Sequence, residues 1–315
     1  MNKIETGVGI IIALALPGSA ILTGWVRRLA IIDIPNERSS HAQPTPRGGG
    51  IALVVMTLIG LFCSQIIWQL TTWRGLLMYV GAASLIAVIS WLDDLKSLSS
   101  RSRFLAHLGA AGLVIAAWGY WEKIAFPGFG SIQLGYFGLL LTLFWIVGLT
   151  NAYNFMDGID GIAGGQAFVA GISWALVGWL IDDKFIFAIG GLLAASSLGF
   201  LFFNWAPAKI FMGDVGSAFL GFTFAVIPVM ATRSAPLNRD LMPWVGILLI
   251  WPFILDTSIT LLRRLSKGEN IFQPHRSHFY QRLVIAGYSH KNVSLLYIGL
   301  ALIGSILSLF ITWSN

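Results

Sequence analysis

Asn151-Ala152-Tyr153-Asn154-Phe155-Met156-Asp157-Gly158-Ile159-Asp160-Gly161-Ile162 carries two carboxylates and an Asn-Asp-Asp spacing with no Lys or Arg inside it. Asn154, Asp157 and Asp160 are three apart, which predicts one shared side of a helical turn. Oxygen-only donors of this kind suit a hard cation such as Mg2+ or Mn2+ rather than zinc. A purely structural cap needs one carboxylate, not two and an amide. A second acidic group, Asp93-Asp94, ends an apolar run at Ser90-Trp91-Leu92. Adjacent acids beside hydrocarbon are costly to ionise without a cation or a basic partner. They can bind metal, position a base, or simply balance Lys96, Arg101 and Arg103.

Phe211-Met212-Gly213-Asp214-Val215-Gly216-Ser217 sets an acid where a further apolar run begins. Backbone N–H groups at such a helix start are available to phosphate, and Asp214 offers more metal oxygen. The Phe211 ring is either an ordinary interfacial aromatic or a platform for a nucleobase, with Asn204 nearby in sequence. Arg38, His41 and Arg47 lie in a loop with Pro44, Pro46 and Gly48-Gly49-Gly50. They either face an anion or form a basic stop between two spans. The last polar stretch holds Arg263-Arg264 and then His275-Arg276-Ser277-His278, with His290 further on. No cysteine or carboxylate completes a zinc set there, so the two histidines His275 and His278 among the arginines read as anion and sugar contacts. His107 sits inside an apolar run and is expected to be a satisfied packing residue.

The elements that must hold these residues follow from composition. The 315 residues are 56% hydrophobic and only 11% charged, too little charge to cover a soluble fold. Disorder, coiled coil and nucleic-acid binding are excluded by the same figures, and the +6 net charge suits basic loops of a membrane protein. One cysteine, Cys63, excludes a disulfide framework, and its apolar surroundings predict an inert core position. Ten apolar stretches approach bilayer length: about 6–26, 49–71, 75–92, 104–121, 134–150, 162–181, 185–203, 215–232, 242–262 and 292–313. Gly135 and Gly138 blur the start of the fifth. Lys3 alone is too thin a basic region for the first to be a cleaved signal peptide.

Loops 27–48, 93–103, 151–161, 204–214 and 263–291 hold 14 of the 20 Lys and Arg residues. The positive-inside rule puts them in the cytoplasm and both termini outside. The same loops hold nearly every group able to do chemistry. The expectation is an all-α polytopic membrane protein, one domain over 1–315, with about ten transmembrane helices around a cytoplasmic-side cleft. The 263–291 loop is long enough to cover it as a lid.

These motifs, in this order from about Arg38 to about His290, resemble the polyprenyl-phosphate N-acetylhexosamine-1-phosphate transferases of glycosyltransferase family 4. His-Ala-Gln-Pro-Thr-Pro-Arg-Gly-Gly, Asp93-Asp94, Asn-Phe-Met-Asp-Gly-Ile-Asp-Gly and Phe-Met-Gly-Asp-Val-Gly-Ser each match a family motif, as do Asp256 with Arg263-Arg264 and the histidine loop. The resemblance implies ten or eleven helices, Mg2+ (Mn2+ as the alternative), and transfer from a UDP-N-acetylhexosamine to undecaprenyl phosphate with release of UMP. It implies Asn154 and Asp214 as metal ligands, Phe211 stacked on uracil with Asn204 and Asp160 beside it, and Asp93, Asp94 and Asp157 as the catalytic acids. Asp157 and Arg103 fall at the pyrophosphate, with Arg38, His41 and Arg47 as further anion contacts. His275, Arg276 and His278 fall at the sugar's acetamido group. Arg103 stands where many relatives have Lys, and His-Arg-Ser-His replaces a denser histidine run. That pattern is nearer the O-antigen (lipopolysaccharide) branch, where some donors are 6-deoxy sugars, than the peptidoglycan branch. A bacterial inner membrane follows as the location, with membrane lipid as surroundings, no nucleic-acid partner, and a homodimer left open. Direct attack by the lipid phosphate and a two-step aspartyl route both fit. The rival class is a secondary transporter with a cytoplasmic-side acidic ion site, but no internal repeat supports it.

Overall fold

Backbone crossing a bilayer has no water to bond with, so each apolar stretch closes its hydrogen bonds internally as a helix. The computed structural model describes residues 3–29, 31–34, 44–126, 130–234, 239–270 and 275–314. Arg38 and His41 therefore lie outside the described residues. The chain begins with α1 (Lys3–Leu29), the antiparallel pair β1 (Ile31–Asp33) and β2 (Thr45–Arg47), and α2 (Gly50–Trp68). Next come α3 (Trp73–Lys96), α4 (Ser100–Trp118), the hairpin β3 (Lys123–Phe126) and β4 (Gly130–Gln133), and α5 (Tyr136–Phe155). The remainder is α6 (Ile162–Leu180), α7 (Lys184–Asn204), α8 (Asp214–Ser234), α9 (Met242–Ser266), the short α10 (Phe279–Ile285) and α11 (His290–Trp313).

Among the described residues, nine helices are long and apolar enough to span a membrane, and the protein is an all-α, multi-pass membrane protein. The remaining expected span is α4. Arg101, Arg103 and His107 make its first turns more polar than those of the other nine. Its outward residues Phe104, Leu105 and Leu108 are nevertheless apolar and exposed. His107 is buried and paired with the Asn151 amide at 3.2 Å, the packing role its setting predicts. Cys63 departs from expectation: it is exposed on α2. An apolar neighbourhood marks burial only in a soluble fold, whereas a membrane helix turns apolar side chains outward.

The enclosed centre is α8, surrounded by α2, α3, α5 and α9, while α7 is buried among α1, α2 and α6. Lipid-like solvent gives helices no hydrophobic reason to associate, so close backbone approach must supply packing. Gly171 on α6 provides it: a methyl there would meet the Ala194 nitrogen at 2.6 Å and the Gly190 oxygen at 2.9 Å on α7. Carbonyls beside the helix prolines find side-chain donors. Gln166 donates to Leu249 O near Pro252, and Trp145 to Ala225 O near Pro228. The C-terminal ends of α3, α5 and α7 and the N-terminal ends of α2, α8 and α11 bring the polar motifs to one end of the bundle.

Gly171→Ala is expected to lose about 1–3 kcal/mol of stability through overpacking. Gly109→Ala, where a methyl meets nothing within 4 Å, is expected to change little. Thermal unfolding in detergent compares the two, and equal melting temperatures would contradict the packing.

Candidate active site

Three chain segments converge on one guanidinium. Arg47, at the end of β2, donates through Nη2 to Asp94 Oδ1 at 2.6 Å and to Asp214 Oδ1 at 2.9 Å. The backbone around it is stitched to the segment before α8. Phe211 N donates to Pro46 O, Gly48 N and Gly49 N donate to Phe211 O, and Gly50 N donates to Met212 O, all within 2.8–3.1 Å. Gly213 turns the chain into α8 with φ of +78°, a conformation that carries a strain cost for other residues.

Asp94 has a second task that its position at the end of α3 does not reveal. Its carboxylate accepts from Asp214 N at 3.1 Å and Val215 N at 3.3 Å, capping α8 from a different helix. The helix start expected to receive phosphate is therefore already occupied by a protein carboxylate. Asp93 is engaged just as fully, accepting from Leu98 N at 2.6 Å and from Arg103 Nη1 at 2.7 Å. Arg103 thus sits against Asp93.

In the 151–161 segment, α5 ends at Phe155, so only Asn154 is helical and the three polar residues do not share one helix face. Asn154 accepts from Ser217 Oγ at 2.6 Å and bonds Asp214 through its side chain. Asp160 accepts from Ala208 N at 3.0 Å and faces His290 at 3.3 Å. Asn204 braces this loop: its oxygen accepts from Gly161 N and its amide donates to Ile210 O, both at 3.0 Å. Asp157 remains without a hydrogen bond to its carboxylate among the described residues. Burial pushes that carboxyl up to about 7, with Asp214, Asp94 and Asp160 adding to the shift and Arg47 opposing it.

A cavity of about 200 Å3 opens here, lined by Arg47, Asp157, Asp160, Phe211 and Asp214 together with Asn204 and His290. Asp33 and Gln281 also line it, and neither carries a motif that marks it. Among the described residues, Asp94, Asp157 and Asp214 share one guanidinium, that of Arg47, and the described cavity lining carries more negative than positive charge. No cluster of three or more His, Cys, Asp or Glu side chains forms a ready-made metal cage among the described residues. The donors nevertheless fit Mg2+. That ion is held by one or two carboxylates plus water and substrate phosphate rather than by an all-protein cage. Asn154, Asp157 and Asp214 offer oxygen donors of the kind such an ion takes.

The histidine loop stands one side chain away. His278 is buried, with Nδ1 3.1 Å from Asp256 Oδ1 and its ring 5.0 Å from that of His275. Asp256 also accepts from Phe279 N at 2.9 Å, Tyr280 N at 3.2 Å and Tyr297 Oη at 2.5 Å, fixing the start of α10. Tyr280 donates to Phe155 O at 3.0 Å and lies over Gly158, where a Cβ would collide with its hydroxyl. Burial, with Asp157 second, raises the Tyr280 phenol pKa, so it stays a hydrogen-bond donor. His275 and Arg276 are partly buried in the same loop and do not line the cavity.

An acid whose pKa rises on folding favours the fold only while protonated. For Asp157 the cost grows as pH rises from its ordinary 3.8 to about 7. Without divalent cations, the melting temperature is expected to fall between about pH 4 and pH 7 and to level off above. Asp157→Asn is expected to flatten that fall and to melt higher than wild type at the alkaline end. An unchanged slope would contradict the repulsion.

Comparison with known proteins shows the family of the chain. The glycosyl transferase family 4 profile matches residues 76–232, which contain Asp93, Asp94, the 151–161 segment and Asp214. A probable undecaprenyl-phosphate N-acetylglucosaminyl 1-phosphate transferase of Bacillus subtilis is 36% identical over 297 residues, covering 92% of this chain and 80% of that one. A decaprenyl-phosphate N-acetylglucosaminephosphotransferase of Mycolicibacterium smegmatis is 32% identical, covering 97% and 85%. A phospho-N-acetylmuramoyl-pentapeptide-transferase of Lactobacillus gasseri is 31% identical, covering 85% and 84%. With such identity over most of both chains, this multi-pass membrane protein belongs to glycosyl transferase family 4.

Proposed function

We propose that the protein transfers N-acetylhexosamine-1-phosphate from a UDP-sugar to undecaprenyl phosphate, releasing UMP. It would start a lipid-linked cell-surface glycan such as O-antigen. The observation that carries this reading is the cavity itself, where surplus carboxylates, Arg47 and an aromatic ring meet at one end of a membrane bundle. The names of the relatives support polyprenyl phosphate as acceptor and favour N-acetylglucosamine as the first donor to try. The Lys and Arg distribution supports a cytoplasmic site in a bacterial inner membrane with both termini periplasmic. An ion-transport reading has less support, because the acids gather at helix ends rather than near the midplane.

In this reading Asn154 and Asp214 hold Mg2+, which when bound neutralises pyrophosphate charge. Arg47 keeps 34% of its side chain exposed while anchored to both acids, so it can also meet a phosphate oxygen. Phe211 stacks on uracil, with Asp160 and Asn204 bounding the base. A lipid phosphate oxygen attacks the sugar-bearing phosphorus, and the bond from that phosphorus to the UMP phosphate oxygen breaks. The acceptor has a second pKa of about 6 and is already largely dianionic, so positioning outweighs base strength. All four oxygens of Asp93 and Asp94 are engaged within the protein, which favours direct attack over an aspartyl intermediate on either. Asp157, uncommitted and near neutrality, takes any residual proton or orients the acceptor.

UMP release by the purified protein is expected to need undecaprenyl phosphate, Mg2+ and a UDP-N-acetylhexosamine together. Asp214→Asn and Asn154→Ala should each reduce it by about 10²–10³-fold while the protein stays folded. Metal-dependent release persisting in both variants would remove the ligand assignment. No release from any UDP-sugar, its 6-deoxy forms included, would remove the reaction.

A further inference from the structure

His290 lines the cavity at the first turn of α11, yet the chemistry so far leaves it without a task. Its ring is held on one side. Nδ1 lies 3.3 Å from Asp160 Oδ1 and 3.5 Å from the Asp160 amide nitrogen. The amide contact is at the outer limit of a hydrogen bond, so the carboxylate decides the tautomer. Asp160 is a fixed acceptor, its other oxygen receiving Ala208 N at 3.0 Å. Two facing acceptors would repel, which assigns the proton to Nδ1. Ser294 Oγ, one turn along α11, donates to Asp160 O at 2.7 Å and clamps the same loop to the same helix. Among the described residues Nε2 has no hydrogen-bond partner, and in the neutral ring it is an acceptor.

We infer that His290 is a specificity-determining residue that reads the nucleobase, its Nε2 accepting the imide N3–H of uracil. This rests on the uridine-nucleotide reading above. The Asp160 carboxylate beside the ring disfavours a phosphate there, whereas a neutral base suits it. Phe211 and Asn204 line the same cavity, so a base stacked on that ring, as the uridine reading has it, turns its edge toward side groups. Uracil presents a donor at N3 between two carbonyls; cytosine presents a bare acceptor there. An acceptor Nε2 rewards the first and leaves two lone pairs opposed in the second.

Calorimetric titration of UMP and CMP into the full chain, in detergent with Mg2+ at about pH 8, tests this. Wild type should bind UMP roughly five- to tenfold tighter than CMP, and N3-methyl-UMP no better than CMP. His290→Phe should bring UMP and CMP within about twofold by weakening UMP alone, while His290→Gln, which restores an acceptor, should recover part of the preference. Equal weakening of both nucleotides in His290→Phe, with their ratio kept, would overturn the inference and leave His290 only clamping α11. Should that variant unfold, the glutamine variant and N3-methyl-UMP decide, and tight binding of the methylated nucleotide overturns it. Failure of folded wild type to bind either nucleotide would overturn the uridine reading itself.

Discussion

The guanidinium of Arg47 between Asp94 and Asp214 is the contact on which the functional end of the protein depends. It joins the end of β2, the end of α3 and the start of α8. Asp94 then caps α8, so one carboxylate fixes both the guanidinium and the central helix. Removing a partner from such a set leaves a desolvated charge or an open helix end, which costs more than the contact itself contributes. The Gly-rich backbone from Gly48 to Gly50 lies against Phe211 and Met212, and this keeps the aromatic ring and the acid at fixed spacing.

Within that frame the charge is deliberately unbalanced. Asp93 has Arg103, Asp160 has His290, and Asp256 is saturated by backbone and hydroxyl donors. Among the described residues Asp157 has a shared guanidinium and three carboxylate neighbours, and burial first, then those carboxylates, raises its pKa. A buried acid with a raised pKa and carboxylate neighbours is costly to the fold, and in the proposed reading a cation and an anionic substrate would complete the charge there.

Much of this was legible in the sequence. The apolar stretches became helices within a few residues, because backbone in a bilayer has a single economical solution. The acidic motifs were recognisable by their lack of local partners, and Asp157, Asp160, Phe211 and Asp214 do line one cavity. Other features lacked a local signal. Asp94 caps a helix 120 residues away, and the Asp160–His290 pair spans 130 residues. Neither separation leaves a periodic trace. Asn204 reads as a ligand by type, yet both ends of its amide are bonded to backbone. Cys63 reads as core by its neighbours, but apolar neighbours in a membrane helix say nothing about which side faces lipid.

In the proposed reading, the negative charge around Arg47 forms a cation site. Electron paramagnetic resonance titration of Mn2+ into metal-free protein in detergent tests it directly. One saturable site is expected, lost in Asp214→Asn and weakened in Asp157→Asn, with helical content unchanged. No specifically bound Mn2+ in wild type, or equal binding in all three proteins, would contradict it.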